Sequence, residues 1–348
     1  MLTIRRYHAG TATTVDASQV REILDTHEGV LWIDLMAPTA EEEVAAVREL
    51  PATPRALEEL RIPASRRGAD EFDDCMLLTV QELAHDEGGG VTSRQIGVLL
   101  GEGWLVTRAE ESPSALQTLC VRCETNPHIT SSSAWLLYEV LEAVADEFAE
   151  QLEHFEDEIE AIEDAVEDID AQPDIQRLYR QRRDVLRIRR AVEPQAEALG
   201  RMVTFLADGG VVPEHERHLF REMQIRFDRL VVNASYQLEL LGSALESYRA
   251  TVAQRQNEVM KVFAVLSGVL LPLTVVGGIY GMNFRYMPEL DERWGYPFAL
   301  GLMAVLAIGA LWIFFAKGYI GMGYRRRRAA SRRGGDLAES PRGGHTRA

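Results

Sequence analysis

Apolar positions along the chain follow three successive patterns. Up to about residue 128 they come in short β-rich runs bounded by turn residues: GVLWIDLM at 29–36, CMLLTVQEL at 75–83, RQIGVLL at 94–100 and WLVTR at 104–108. The last two, joined by Gly101-Glu102-Gly103, predict a hairpin. Between the strands, Pro38 to Glu43 opens a helix with Thr39 as its cap and Glu42 three residues on, and Thr53 to Leu60 reads as another. A strict βαβ rhythm is missing, so the expectation is a mixed α/β domain.

From about Ser131 the pattern turns helical. Leu141, Ala145, Phe148, Leu152, Phe155, Ile159, Ile162, Val166 and Ile169 alternate spacings of four and three, which keeps one apolar seam facing a partner helix. Between Glu139 and Asp170 stand fifteen acids and no Lys or Arg. After the turn Ala171-Gln172-Pro173-Asp174 the next helix carries Arg177, Arg180, Arg182, Arg183, Arg187, Arg189 and Arg190. An acidic helix followed by a basic one predicts an antiparallel hairpin with complementary faces. Its charges either confer solubility or, on the acidic helix, attract cations. Gly209-Gly210-Val211-Val212-Pro213 ends the hairpin, and one long helix, a stalk, starts near Glu214.

The third pattern is continuous. Val262 to Tyr280 holds nineteen residues without a charge and Gly295 to Ala316 holds twenty-two, each matching the ~20 residues that cross a hydrocarbon core. A buried soluble helical hairpin is the alternative, and the basic flank Lys317 and Arg325 to Arg328 argues against it. That flank predicts a cytoplasmic C-terminus, and two spans then place the N-terminal body inside as well. The chain divides into an α/β domain (1–128), a helical stalk with the acidic/basic hairpin (129–258), a first span (259–281), a periplasmic loop (282–294), a second span (295–316) and a basic, partly disordered cytoplasmic tail (317–348).

Charge narrows the partners. The formal net charge is −17, and because residues 259–348 carry twelve Lys/Arg against five Asp/Glu, net +7, residues 1–258 carry −24. So acidic a body repels a phosphate backbone, which argues against nucleic acid and for divalent cations, while the tail is suited to anionic membrane lipid. Cys75, Cys120 and Cys123 are too few for a disulfide framework, and the lone Cys-x-x-Cys lacks a second pair for zinc. The start Met1-Leu2-Thr3-Ile4-Arg5-Arg6 has no apolar run after its charges, as a signal peptide would. Gly88-Gly89-Gly90 reads as a flexible loop, with neither phosphate-loop spacing around it. Hydrolase and metalloprotease signatures are equally absent, so an enzyme and an organic cofactor are not expected.

The first span has a pattern of its own. Asn257, Met260, Ala264, Ser267, Leu271, Thr274, Gly278 and Gly281 recur at three and four, with apolar residues on the other faces. Small and polar residues on one stripe of a spanning helix pack against other helices or line water. Arranged around an axis by several copies, Asn257, Ser267 and Thr274 offer uncharged oxygens, and Met260 and Leu271 form apolar collars that gate by dewetting.

Tyr280-Gly281-Met282-Asn283-Phe284, followed by Met287-Pro288-Glu289-Leu290 and Trp294-Gly295-Tyr296-Pro297 between two C-terminal spans, resembles the CorA-type magnesium/cobalt transporter family of bacteria. Asn257-Glu258-Val259-Met260-Lys261 and Leu271-Pro272-Leu273-Thr274 extend the likeness through the first span. The resemblance implies an α+β cytoplasmic domain with a long helical stalk and two transmembrane helices, a funnel-shaped homopentamer in the inner membrane. It implies transport of Mg²⁺ and Co²⁺ driven by membrane potential, with the first span around the pore and Gly281, Met282 and Asn283 as a selectivity filter. It also implies closure by cytoplasmic Mg²⁺ at facing acids, here Glu222 and either Asp86 or Glu87. In the outer loop, Glu289 is placed to concentrate cations at the mouth. Phe263, where a smaller aliphatic is common, joins Met260 and Leu271 at the gate; at Leu271 the family commonly has Met. The other classes to weigh are a zinc transporter of the same superfamily, whose flux is coupled to protons, and a non-conducting membrane-tethered coiled-coil scaffold.

Overall fold

Strand β3 (Val30–Met36) sits inside the sheet, and its sequence shows why: five of its seven residues are buried, with Leu31, Ile33 and Leu35 on one face and Val30 and Trp32 on the other. A strand apolar on both sides needs cover on both faces. The computed structural model describes residues 1–8, 10–61, 68–86, 88–167, 175–207, 209–283, 285, 287–288 and 293–319. Six further strands complete the sheet: β1 (Leu2–His8), β2 (Thr11–Thr14), β4 (Ala69–Glu71), β5 (Cys75–His85), β6 (Val91–Gly101) and β7 (Trp104–Ala109). Their order is β2-β1-β3-β7-β6-β5-β4, with β3 and β7 parallel and every other neighbouring pair antiparallel.

The predicted hairpin is β6–β7, in register from Ile96↔Ala109 to Gly101↔Trp104. Gly101 is required there, since a Cβ on it would lie 2.0 Å from the Trp104 ring. The run Gly88-Gly89-Gly90 closes a defined turn between β5 and β6 instead of a loose loop: Asp86 N donates to Gly90 O at 2.8 Å, and Asp86 Oδ1 accepts from the Gly88 and Gly90 amides at 3.0 and 2.7 Å.

Helices cover both faces. On one lie α1 (Val20–Thr26), α2 (Ala40–Val47) and α3 (Pro54–Arg61), packed on Leu31, Ile33, Leu77, Leu99 and Val106. The cap of α2 is the predicted one, Thr39 accepting from Glu42 N at 3.2 Å while Glu42 reaches back to Thr39 N at 3.0 Å. On the other face lie α4 (Ser114–Thr125), α5 (Ser133–Glu167) and α6 (Ile175–Ala207). The predicted seam of α5 is buried at Leu141, Ala145, Phe148, Leu152, Phe155 and Ile159; the side chains of Ile162 and Val166, and Ile169 with the predicted turn at 171–174, lie outside the described residues.

A short 3-10 turn, Glu214–Glu216, leads into α7 (Arg217–Tyr280), which runs unbroken through Pro272, and α8 spans Gly295–Ala316. The core on the α4–α6 side takes in the sheet residues Trp32, Val80 and Val98 together with Phe148, Val185, Phe220 and Phe227. One core therefore joins sheet and helices across residues 128 and 129. The chain forms two compact units, Met1–Tyr248 and Arg249–Ala348.

Candidate functional site

Within the second unit, α8 decides which face of α7 is covered. A Cβ on Gly268 would lie 2.6 Å from Phe314 Cζ, and one on Gly277 would lie 3.4 Å from Met303 Cε. Val276 is buried, and Val265, Val269, Pro272 and Leu273 are half-buried on the same side. With 3.6 residues per turn, the stripe Asn257, Met260, Ala264, Ser267, Leu271, Thr274, Gly278 and Gly281 falls on the opposite side of α7. All eight residues are exposed. Phe263, also exposed, flanks that stripe. The chain's own second span thus packs on the apolar face and leaves the polar one bare.

The polar groups on that face are undemanding. The Thr274 hydroxyl donates to Leu270 O at 2.8 Å, which leaves its lone pairs free to accept from water. At the end of α7 the helix closes with Gly281 N to Gly277 O at 3.0 Å and Met282 N to Ile279 O at 3.2 Å, and Asn283 follows, exposed. Phe284 and Glu289 lie outside the described residues.

The acids expected to hold a regulatory ion sit on different elements of the first unit. Glu222 is exposed on the first turns of α7. Near it, the Tyr138 hydroxyl is pushed up, first by burial and then by the carboxylates of Glu142 and Glu222. Asp86 is held by the turn amides and lies 3.8 Å from Arg187; Glu87 lies outside the described residues. Among the described residues, no group of three or more His, Cys, Asp or Glu side chains is placed to hold a metal ion within one chain.

Glu139, Glu142, Asp146 and Glu158 of α5 pair with arginines. Arg122 of α4 bonds Glu139 at 2.8 Å and Glu142 at 3.0 Å, and Arg226 of α7 pairs with Glu142 and Asp146. Across the hairpin Arg177 bonds Glu158 at 2.7 Å. One further cluster has no sequence signature. Glu82, fully buried, accepts from Ser114 Oγ and Ala115 N, both at 2.6 Å, at the start of α4. Glu147 on α5 shares Ser114 Oγ at 3.4 Å, and its carboxyl is raised to about 7, first by burial and then by Glu82. Its members come from three elements, so only the fold brings them together.

A family model described as CorA-like Mg2+ transporter protein matches residues 27–327. The chain belongs to the CorA-like Mg²⁺ transporter family. It is 26% identical over 311 residues to the cobalt/magnesium transport protein CorA of Thermotoga maritima, covering 87% of each chain. To the magnesium transport protein CorA of Haemophilus influenzae it is 25% identical over 295 residues, covering 83% of this chain and 92% of that one. The fold is that of the complete CorA magnesium transporter structure from Methanocaldococcus jannaschii, with a TM-score of 0.76, 19% identity, and coverage of 92% of this chain and 99% of that one. Both α7 and α8 are long and apolar enough to cross a membrane, as a transporter family requires.

Proposed function

We propose that the chain is the subunit of a homopentameric, channel-like transporter that carries Mg²⁺, and Co²⁺ with it, across a bacterial inner membrane with both termini cytoplasmic. The observation that carries this reading is the bare stripe on α7, which ends at Gly281, Met282 and Asn283. A helix that spends its apolar face on α8 and keeps Ser267, Thr274 and Gly278 uncovered needs either other copies or water on that side. A ring of copies supplies both, with Asn257, Ser267 and Thr274 toward the axis and Met260, Phe263 and Leu271 as apolar collars.

Mg²⁺ gives up its water reluctantly, so a filter for it has to grip the hydrated ion. Neutral Asn283 carboxamides and Gly281 carbonyls hydrogen-bond the hydration shell without the tight hold of carboxylates. An inside-negative potential drives entry, worth roughly 4.6 kcal/mol for a divalent ion per 100 mV. The names of the relatives, cobalt/magnesium and magnesium transport proteins, support the choice of ion. Regulation by cytoplasmic Mg²⁺ is assigned to Glu222 facing the Asp86–Glu87 turn of a neighbouring copy. Mg²⁺ there neutralises facing carboxylates and holds the ring closed, and its loss lets them repel. The turn amides and Arg187 already engage Asp86, which makes Glu222 the freer ligand.

The test is purified full-length protein in liposomes under an imposed potential, with Mg²⁺ flux followed by a fluorescent indicator. Asn283→Ala is expected to lower flux tenfold or more, on the order of the loss of a polar filter contact. Wild-type flux in that variant would remove the filter assignment. Glu222→Ala is expected to weaken inhibition by Mg²⁺ on the cytoplasmic side; an unchanged inhibition midpoint would remove the regulatory assignment and leave the filter standing.

A further inference from the structure

The proposed conduction path does not use the basic face of α6, and one section of that face borders a cavity. Arg187 and Arg190, one turn apart, line a cavity of about 490 Å³ beside β5 and β6, together with Thr79, Thr92, Ser93 and Pro194. The volume falls within the range of small-molecule sites, ~300–1,000 Å³. Arg187 donates to Val91 O at 2.8 Å and lies 3.4 Å from Asp184 and 3.8 Å from Asp86, so its charge is partly offset. Arg190 forms no ion pair or hydrogen bond among the described residues, and neither do the hydroxyls of Thr79, Thr92 and Ser93.

The cavity borders an edge of the sheet, yet that edge is closed to an added strand. β4 pairs with β5 only from Met76 to Leu78. Beyond it, Thr79 N donates to Gly68 O at 2.8 Å, and both backbone groups of Gln81 are taken by one side chain: Gln195 Oε1 accepts from Gln81 N at 3.0 Å, and Gln195 Nε2 donates to Gln81 O at 3.1 Å. A peptide strand would find no free ladder there. What remains unanswered is an arginine with a second arginine one turn away and three hydroxyl donors, in a body of strongly acidic composition. Guanidinium groups backed by hydroxyls match the oxygens of a phosphate.

From this we propose that the cavity binds a small phosphate-bearing molecule of nucleotide size. Its phosphate oxygens take Arg190 and Arg187, one hydroxyl of the adjacent strand residues Thr92 and Ser93 donates to them, and Pro194 supports its less polar part. The site stands apart from α7 and does not depend on the transport reading.

The test uses the full-length protein in detergent with EDTA present, so that binding is not a consequence of Mg²⁺ linkage, and ATP and pyrophosphate as probes in calorimetric titrations at physiological salt. At least one probe is expected to bind saturably, one per chain, and Arg190→Gln to weaken it roughly tenfold or more, the loss of one charged hydrogen-bonding group. Arg182→Gln, an exposed arginine of the same helix away from the cavity, is expected to leave binding unchanged. Because Arg190 is exposed, its replacement does not threaten the core, and circular dichroism verifies that. Absence of saturable binding by both probes, or equal weakening by Arg182→Gln, would overturn the proposal.

Discussion

Phe148 and Leu271 are both large apolar residues on long helices, and they meet opposite fates: Phe148 is 0% exposed and Leu271 69% exposed. The contrast holds for their whole units. In Met1–Tyr248 helices cover both faces of the sheet, and the β5 edge is finished by Gly68 and Gln195. In Arg249–Ala348 two apolar helices touch along one face each, and among the described residues Val262, Leu266, Val275, Val305 and Trp312 stay more than half exposed. The first unit satisfies its own burial. The second leaves apolar faces suited to lipid, and the proposed ring of copies would take up the stripe on α7.

The largest expected effect follows from cutting between the two. A chain of residues 1–248 is expected to be soluble and cooperatively folded without detergent, with near-UV circular dichroism and a single unfolding transition as the readout. Aggregation, or a molten spectrum, would show that the first unit depends on the second. Within that fragment Phe148→Ala is expected to cost about 3–5 kcal/mol in urea unfolding, since Phe148 is fully buried in the core shared by sheet and helices. A loss below about 1 kcal/mol would mean that sheet and helices do not share one core.

A smaller effect tests the buried acids. Glu147, beside Glu82, His85 and Ser114, titrates at about 7 in the folded protein, above the ordinary carboxyl range. A raised pKa means that the folded state holds the proton more tightly. Its contribution is full below the ordinary range and is lost as pH rises through about 7. Glu147→Gln keeps an acceptor for Ser114 and cannot ionise, so it is expected to raise the Tm of the fragment by a few degrees at about pH 8 and by less at about pH 5. An equal shift at both values would place the effect in packing instead of charge.

Much of this was legible in the chain because the signals were local. The Thr39/Glu42 box, the β6–β7 hairpin, the seam of α5 as far as Ile159 and the two apolar helices rest on spacing within one or two neighbouring elements, and each is where its spacing puts it. The strands left unpredicted are those whose burial comes from elsewhere. β1 buries only Ile4 and Tyr7 around two arginines, β2 is exposed throughout, and β4 has three residues. The Gln195–Gln81 closure and the Glu82–Glu147 pair join residues far apart in sequence, so no window along the chain could show them. The site divides in the same way. The stripe on α7 was readable as a period, but its orientation away from α8 required the second span in place, through Gly268 against Phe314.

That orientation is the central claim, and solvent access tests it most directly. In full-length protein in liposomes, with Cys75, Cys120 and Cys123 replaced by Ser, a cysteine at Ser267 or Thr274 is expected to react with a charged, water-soluble thiol reagent and to lose Mg²⁺ flux as it does. A cysteine at Val269 or Val276, on the face toward α8, is expected to stay unreacted with flux intact. Equal labelling of both faces, or labelling of Val269 and Val276 alone, would contradict the account.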